Sequence, residues 1–188
     1  MLPGATRYGA VFDFTNDDCI MNLTRYLSSE LIKLEMNPPA DPPDDPEANL
    51  EKFRQQQKEK ILEELVDLVD LSGNVNNKRK LLTDVINRER RATTALGRGI
   101  AIPHVRSNHI RELTIAIGRS KEGLDFDSMD GKPTYIFFLV VSSVHGDEDL
   151  YLKIYKHLAE VTSFHDAVNQ LLEVEDPGEM IRVLRQWE

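Results

Sequence analysis

The segment 135–141 is seven apolar residues without interruption, and β-branched and aromatic side chains dominate it. Such a run is typical of a strand that is buried on both faces, because a strand with one wet face alternates apolar and polar residues. It is far too short to cross a bilayer as a helix. The segment therefore favours a sheet that is covered on both sides.

Helical patterns lie before and after this strand. Apolar residues at three- and four-residue spacing predict one helix from Lys58 to about Gly73 and a second over about 78–88. Further stripes predict helices towards the C-terminus. The last of these begins at 176–179, with an N-cap aspartate, a proline at N1 and a glutamate at N3. With short strands predicted at 100–102 and 113–118, the pattern indicates a layered α/β domain.

The composition divides the 188 residues into unequal parts. Residues 1–21 are irregular in pattern and are predicted to form an N-terminal extension. Residues 37–57 hold five of the nine prolines together with several acidic residues, and they predict an extended, solvated loop that runs into helix near Leu50. We expect one domain over 22–188, with 37–57 as an acidic, proline-rich insertion. It opens with a turn-then-strand element at 23–36.

The charge and the cysteine content limit the partners and the compartment. A net charge of −9 makes nucleic acid and anionic membranes poor partners and favours a protein with a basic patch. The single cysteine, Cys19, allows no internal disulfide and fits a reducing compartment. Neither a secretory signal nor a zinc-ligand spacing is visible, so we expect a cytoplasmic protein without metal or cofactor. The sequence does not indicate an oligomeric state.

The segment 97–104, Gly-Arg-Gly-Ile-Ala-Ile-Pro-His, carries the residues best suited to chemistry. Gly97 and Gly99 allow the backbone to come close to a ligand. An apolar triplet follows, and Pro103 then leads with a fixed φ into His104. This order presents an imidazole from a rigid, apolar support beside backbone that can approach an oxyanion.

Three further candidates, Arg88, Thr93 and Thr94, precede this segment. Phosphoryl transfer needs little beyond in-line positioning and donors for the equatorial oxygens. Arginine provides a planar pair of donors, and hydroxyls and glycine amides add others. A histidine with a reference pKa of about 6.5 is available as the nucleophile at neutral pH. A lone histidine in an apolar stretch is more often structural, so the hypothesis depends on the whole set.

In this order, Arg88-Glu89, Thr93-Thr94 and 97–104 resemble the enzyme IIA domain of the phosphoenolpyruvate-dependent sugar phosphotransferase system, fructose/mannitol type. That family includes the nitrogen-regulatory IIA proteins. The resemblance implies a three-layer single domain, with a mixed central β-sheet flanked by helices on both faces. It also implies that His104 accepts a phosphoryl group from the histidine phosphocarrier protein, and that the arginine contacts this group.

The resemblance further implies a second active-site histidine, immediately before a leucine at the start of the helix that follows the last buried strand. Asp149, before Leu150, stands there, and His145, four residues earlier, does not align. A carboxylate at this position repels an arriving phosphoryl group, by on the order of 1 kcal/mol or more at about 4 Å. Alternatively, it orients His104 by accepting the other ring N–H.

Two functions remain open. One is a phosphoryl carrier with a regulated target protein as its second partner. Because no permease domain is fused to the chain, we expect this carrier to be regulatory and not sugar-importing. The presence of Arg88 and His104 favours it. The other is a non-catalytic IIA-like regulatory binding module that acts through protein–protein contacts, favoured by Asp149 and the acidic loop.

Overall fold

The computed structural model describes residues 22–38 and 49–188. The predicted extension at 1–21, Cys19 included, and the middle of the acidic, proline-rich stretch lie outside these residues. Two short 3-10 turns, Leu23–Tyr26 and Ser29–Leu31, open the described chain. The strands and helices then follow in the order β1 (Ile32–Lys33), α1 (Leu50–Asp70), α2 (Lys78–Arg91), β2 (Ala95–Gly97), β3 (Ile100–Ala101), β4 (His104–Ser107), β5 (Thr114–Leu124), β6 (Thr134–Ser143), α3 (Glu148–Val161), α4 (His165–Glu173) and α5 (Pro177–Gln186).

The sheet is organised around β6. Among the described strands, β5 pairs with it antiparallel on one side, and β3 and β4 pair with it parallel on the other. The strand order is β1-β5-β6-β3-β2, and β4 takes over from β3 along the same side of β6. The sheet is therefore mixed, as the resemblance implied.

The side chains of β6 alternate between two apolar cores. Every second residue from Ile136 to Val140 joins the core under α3, α4 and α5. The residues between them, from Phe137 to Val141, join the core under α1 and α2. All of these side chains are fully buried, and burial of each large apolar side chain contributes about 1.5–3 kcal/mol. The three-layer α/β fold and the doubly buried strand are confirmed.

Helix α1 begins earlier than its apolar periodicity predicts. It starts at Leu50, where the proline-rich segment was expected to run into helix. The Asn49 side chain caps it by accepting a hydrogen bond from the backbone N–H of Lys52. The first buried residues are Gln57 and Lys58, and the earlier turns carry almost no apolar pattern. A helix start that rests on a cap and not on packing leaves little periodicity to detect.

The remaining predicted elements match the structure closely. The turn-then-strand prediction for 23–36 is confirmed. Helix α2 ends at Arg91, slightly beyond its predicted end. The Asp176 side chain caps α5 by accepting from the Glu179 N–H at 2.8 Å, with Pro177 in the first turn. Strand β5 extends six residues beyond Gly118, through an irregular register. None of the helices in the described part of the chain is long and apolar enough to span a membrane.

Candidate functional site

His104 is the first residue of β4, which continues the line of β3 along β6. Both strands pair with β6 at a constant offset, 100 with 136 and 104 with 140. Pro103 has no N–H to donate, so it interrupts the hydrogen bonding between the strands. It does not shift the register against β6. Its carbonyl still accepts from the N–H of Val140 at 2.9 Å. Among the described strands β4 pairs with β6 alone, so its outer edge faces α2.

The His104 ring is held at both nitrogens. Nδ1 lies 2.8 Å from the carbonyl oxygen of Ile102, and Nε2 lies 2.9 Å from Nη2 of Arg88. A carbonyl can only accept a hydrogen bond and a guanidinium can only donate. Nδ1 therefore carries the proton, and the lone pair of Nε2 points at the arginine. This tautomer makes Nε2 the nucleophilic atom.

The surroundings of His104 favour its neutral form. Burial lowers the pKa of His104 from its ordinary value. The positive charge of Arg88 lowers this pKa further, while the hydrogen bond to Ile102 and the charge of Glu89 oppose the change. The net direction is downward, so Nε2 is unprotonated at neutral pH.

Arg88 reaches the imidazole from the last turn of α2. One turn earlier, Asp84 accepts a hydrogen bond of 2.6 Å from the Ser107 hydroxyl of β4. Two contacts one turn apart therefore align the helix along the strand, from Asp84 to Ser107 and from Arg88 to His104. A second guanidinium nitrogen of Arg88 donates to the Ala92 carbonyl at 3.2 Å, which restricts the side chain further.

Thr93 and Thr94 secure the end of α2. The carboxylate of Glu89 accepts hydrogen bonds from the backbone N–H of Thr94 at 3.0 Å and from its hydroxyl at 2.5 Å. Lys58 completes this buried group with an ion pair of 2.8 Å to Glu89. The Thr93 hydroxyl lies 3.5 Å from the same ammonium. In the described structure no hydrogen bond joins either threonine side chain to the imidazole or the guanidinium.

Gly97 and Gly99 form the turn between β2 and β3, with φ of +83° and +82°. A Cβ on Gly99 would lie 2.7 Å from the ring of Tyr135, so the position admits only glycine. The N–H of Arg98, between them, donates to the Asp130 carboxylate at 2.9 Å. That bond and two others lower the pKa of Asp130 to about 2. The turn therefore binds an anion of this chain, and no described hydrogen bond links it to the imidazole.

Asp149 lies exposed in the first turn of α3. Within the described residues it makes no hydrogen bond or ion pair, and the neighbouring Asp147 caps the helix instead. Its suggested role of accepting the other ring N–H of His104 is taken by a different group. The Ile102 carbonyl, two residues before the imidazole, lies 2.8 Å from Nδ1.

Two tyrosines of α3 contact the site, and neither was predicted as a site residue. The ring centroid of His104 lies 4.5 Å from that of Tyr155 and 6.4 Å from that of Tyr151. They belong to an apolar stripe at helical spacing, which hides any second role. Tyr151 also stands immediately before a leucine, Leu152. The pattern expected for the second histidine therefore fits Tyr151 as well as Asp149. In the structure, the ring of Tyr151 lies against His104, whereas no described contact joins Asp149 to it.

Arg106 is a second cation that sequence reasoning missed. It lies two residues after His104 on β4 and is largely buried. Its guanidinium donates to the carbonyl of Val144 at 2.7 Å and to that of Gly146 at 3.3 Å. It also pairs with Glu148 at 2.6 Å. Residues two apart on a strand lie on the same face of the sheet. The spacing of Arg106 from His104 is therefore the sequence signal that could have indicated it.

The comparison with family models agrees with this site. Residues 48–187 match the model of the phosphoenolpyruvate-dependent sugar phosphotransferase system, EIIA 2. The chain belongs to this family, as its motifs indicated.

Relatives in this family include both sugar-specific and regulatory proteins. The chain is 36% identical over 129 residues to a PTS system fructose-specific EIIA component of Haloferax volcanii, covering 69% of this chain and 83% of that protein. It is 30% identical over 140 residues to a nitrogen regulatory protein of Bradyrhizobium diazoefficiens, covering 74% and 90%. A fructose-specific EIIABC component of Bacillus subtilis is 32% identical over 69% of this chain, which spans only 20% of that longer protein.

Solved structures share the fold. The nitrogen regulatory protein IIA-Ntr of Neisseria meningitidis superposes with a TM-score of 0.72 at 23% identity, covering 87% of this chain and 99% of that one. The mannitol enzyme IIA of Escherichia coli, solved in complex with phosphorylated enzyme IIB, gives a TM-score of 0.65 at 14% identity, covering 85% and 97%. Both solved structures therefore have the same α/β fold as this chain.

Proposed function

We propose that this protein is a cytoplasmic phosphoryl carrier of the phosphotransferase system that accepts a phosphoryl group on Nε2 of His104 from the histidine phosphocarrier protein. The observation that carries the proposal is the state of the imidazole. Its proton is held on Nδ1 by Ile102, and the free Nε2 faces the Arg88 guanidinium at 2.9 Å. A nucleophile and a cation for the arriving group are thus already aligned.

The transfer step balances without an added acid or base. The lone pair of Nε2 attacks phosphorus, and the N–P bond of the donor phosphohistidine breaks, returning its electron pair to the donor nitrogen. The donor leaves as a neutral imidazole, since its other nitrogen keeps a proton. His104 becomes a phosphoimidazolium that keeps its proton on Nδ1. The Ile102 carbonyl then accepts a charge-assisted hydrogen bond, which is roughly twice as strong as a neutral one.

Arg88 has a different role before and after transfer. Before transfer its charge keeps the Nε2 lone pair free by lowering the pKa of His104. After transfer the guanidinium can donate two parallel hydrogen bonds to phosphoryl oxygens. Stabilisation of charge by fixed donors is the main contribution that a protein makes to phosphoryl transfer.

We infer that the carrier is regulatory and passes its signal to a target protein. The nitrogen regulatory relative of Bradyrhizobium diazoefficiens supports this, because the match covers 90% of its length. The fructose-specific relatives support the same phosphoryl chemistry with sugar import as the outcome. A challenge with an added enzyme IIB distinguishes the two, because a relay passes its phosphoryl group to that acceptor and a regulatory carrier retains it.

The test is uptake of phosphate. The protein is incubated with phosphoenolpyruvate, enzyme I and the histidine phosphocarrier protein of its own source, and its intact mass is measured. We expect one acid-labile phosphoryl group on the wild type and none on His104→Ala. His165→Ala serves as the matched control, because His165 is exposed at the start of α4. Absence of uptake by the wild type would favour the non-catalytic binding module, and uptake by His104→Ala would exclude His104 as the acceptor.

A further inference from the structure

Tyr151 brings a hydroxyl group to the site from α3. Its side chain is 7% exposed, and its ring centroid lies 6.4 Å from that of His104. The hydroxyl makes no hydrogen bond to any other described residue. It is also not among the fully buried, unpartnered polar atoms of the described chain, so it opens towards solvent. A donor on a buried ring with no protein partner is available to a ligand.

The positive charges of Arg88 and Arg106 act on the same hydroxyl. Burial raises the pKa of Tyr151 to about 12, although the charges of Arg88 and Arg106 oppose this change. The hydroxyl therefore keeps its proton at physiological pH and can donate it in a hydrogen bond. A neutral donor adds no repulsion towards a phosphoryl group, in contrast to a carboxylate in the same position.

We propose that the Tyr151 hydroxyl donates a hydrogen bond to an oxygen of the phosphoryl group carried by Nε2 of His104. This inference rests on the proposed function, since the oxygen belongs to that group. A phosphoryl group presents three strong acceptor oxygens, and a guanidinium such as that of Arg88 engages two of them at most in a bidentate pair. Tyr151 supplies a donor for the third.

The start of α3 is fixed to the strand of His104, which gives the tyrosine a defined position. Arg106, on the same strand, binds two carbonyls of the loop after β6 and pairs with Glu148 in the first turn of α3. Tyr151 follows within one turn of that pair. One turn later the ring of Tyr155 packs at 4.5 Å from the imidazole. The hydroxyl is therefore held by contacts on both sides of it along the helix.

The experiment compares Tyr151→Phe with the wild type as phosphoryl acceptors. Two donors are used, the phosphorylated histidine phosphocarrier protein and the small molecule phosphoramidate. A hydrogen bond to a charged group corresponds to at least about a 10-fold change in rate. We expect kcat to fall about 10-fold with both donors, with KM for the phosphocarrier unchanged. Tyr26→Phe is the matched control, because Tyr26 lies in the 3-10 turn Leu23–Tyr26, against the core under α3, α4 and α5.

Each result decides a separate point. A wild type that takes up no phosphate on His104 refutes the proposed function and this inference with it. If the wild type is phosphorylated but Tyr151→Phe reacts as fast as Tyr26→Phe, only this inference fails. A loss that appears with the protein donor alone, as a raised KM, would assign Tyr151 to partner contact and overturn it as well. So would a loss in Asp149→Asn without one in Tyr151→Phe.

A measurement on the unsubstituted protein gives the same decision if Tyr151→Phe fails to fold. Tyrosine labelled with carbon-13 at Cζ reports hydrogen bonding of the hydroxyl in an NMR spectrum. We expect the Tyr151 signal to shift on phosphorylation of His104 while the Tyr26 signal does not. An unchanged Tyr151 signal would refute the hydrogen bond.

Discussion

At the scale of single residues, the chemistry depends on which nitrogen of His104 carries the proton. The Ile102 carbonyl and the Arg88 guanidinium impose one tautomer from opposite sides of the ring. A sequence can indicate the histidine and the arginine from their order in a motif. It cannot indicate the carbonyl, because any residue has one. Only the structure shows that the carbonyl of Ile102 lies at the ring.

This arrangement predicts how His104 titrates. Burial and Arg88 lower its pKa, so the neutral ring should persist below the ordinary value of about 6.5. Phosphoryl acceptance should then decline only as the pH falls through the lowered pKa, where Nε2 becomes protonated. In Arg88→Met one lowering cause is absent, so the midpoint should move upward. NMR titration of the His104 ring protons measures both midpoints, and a wild-type midpoint at or above 6.5 would contradict the expected direction.

At the scale of secondary-structure elements, the sequence was most informative where a helix buries a continuous stripe. The helices α2 and α5 were predicted with nearly correct bounds, since apolar spacing and cap residues agree there. The start of α1 at Leu50 agrees with the predicted run into helix, although its exposed first turns add little apolar pattern. Tyr151, in contrast, was not predicted as a site residue. Its apolar ring satisfies the stripe of α3, and the pattern gives no sign of a free hydroxyl.

The buried ion pair between α1 and the end of α2 offers a test at this scale. Lys58→Met leaves the Glu89 carboxylate buried without its cation, which should lower the free energy of unfolding by about 3–5 kcal/mol. Adding Glu89→Gln should recover part of this loss. Lys78→Met is the control, because its pair with Asp67 is exposed and contributes about 0–1 kcal/mol. Urea denaturation compares the variants, and equal losses in Lys58→Met and Lys78→Met would show that burial of the pair is unimportant.

At the scale of the whole molecule, the site draws on both faces of the sheet. His104 lies on β4, Arg88 arrives from the helical layer of α1 and α2, and Tyr151 from the layer of α3 to α5. The sequence predicted the first two because a short motif and the family resemblance name them. The third depends on how the C-terminal layer packs on the sheet, and that packing is set by contacts between residues far apart in the chain.

Arg119 of β5 is one such contact, and it tests how the layers are held together. Its guanidinium is 2% exposed and donates to the carbonyl of Leu34 at 3.1 Å, that of Leu172 at 2.8 Å and that of Val174 at 2.6 Å. Arg119→Met leaves these three carbonyls without a donor, and we expect a loss of about 3–5 kcal/mol in the free energy of unfolding.

Glu35→Gln is the control for Arg119→Met, since that carboxylate is 62% exposed and pairs with the same guanidinium at 3.4 Å. We expect it to change the stability by less than about 1 kcal/mol. Urea denaturation measures both losses, and phosphorylation of His104 in the folded fraction should remain because Arg119 does not contact the site. If Arg119→Met is as stable as Glu35→Gln, the carbonyl bonds do not hold the N-terminal strand and the C-terminal helices on β5. The C-terminal helices would then depend on apolar packing for their place on β5.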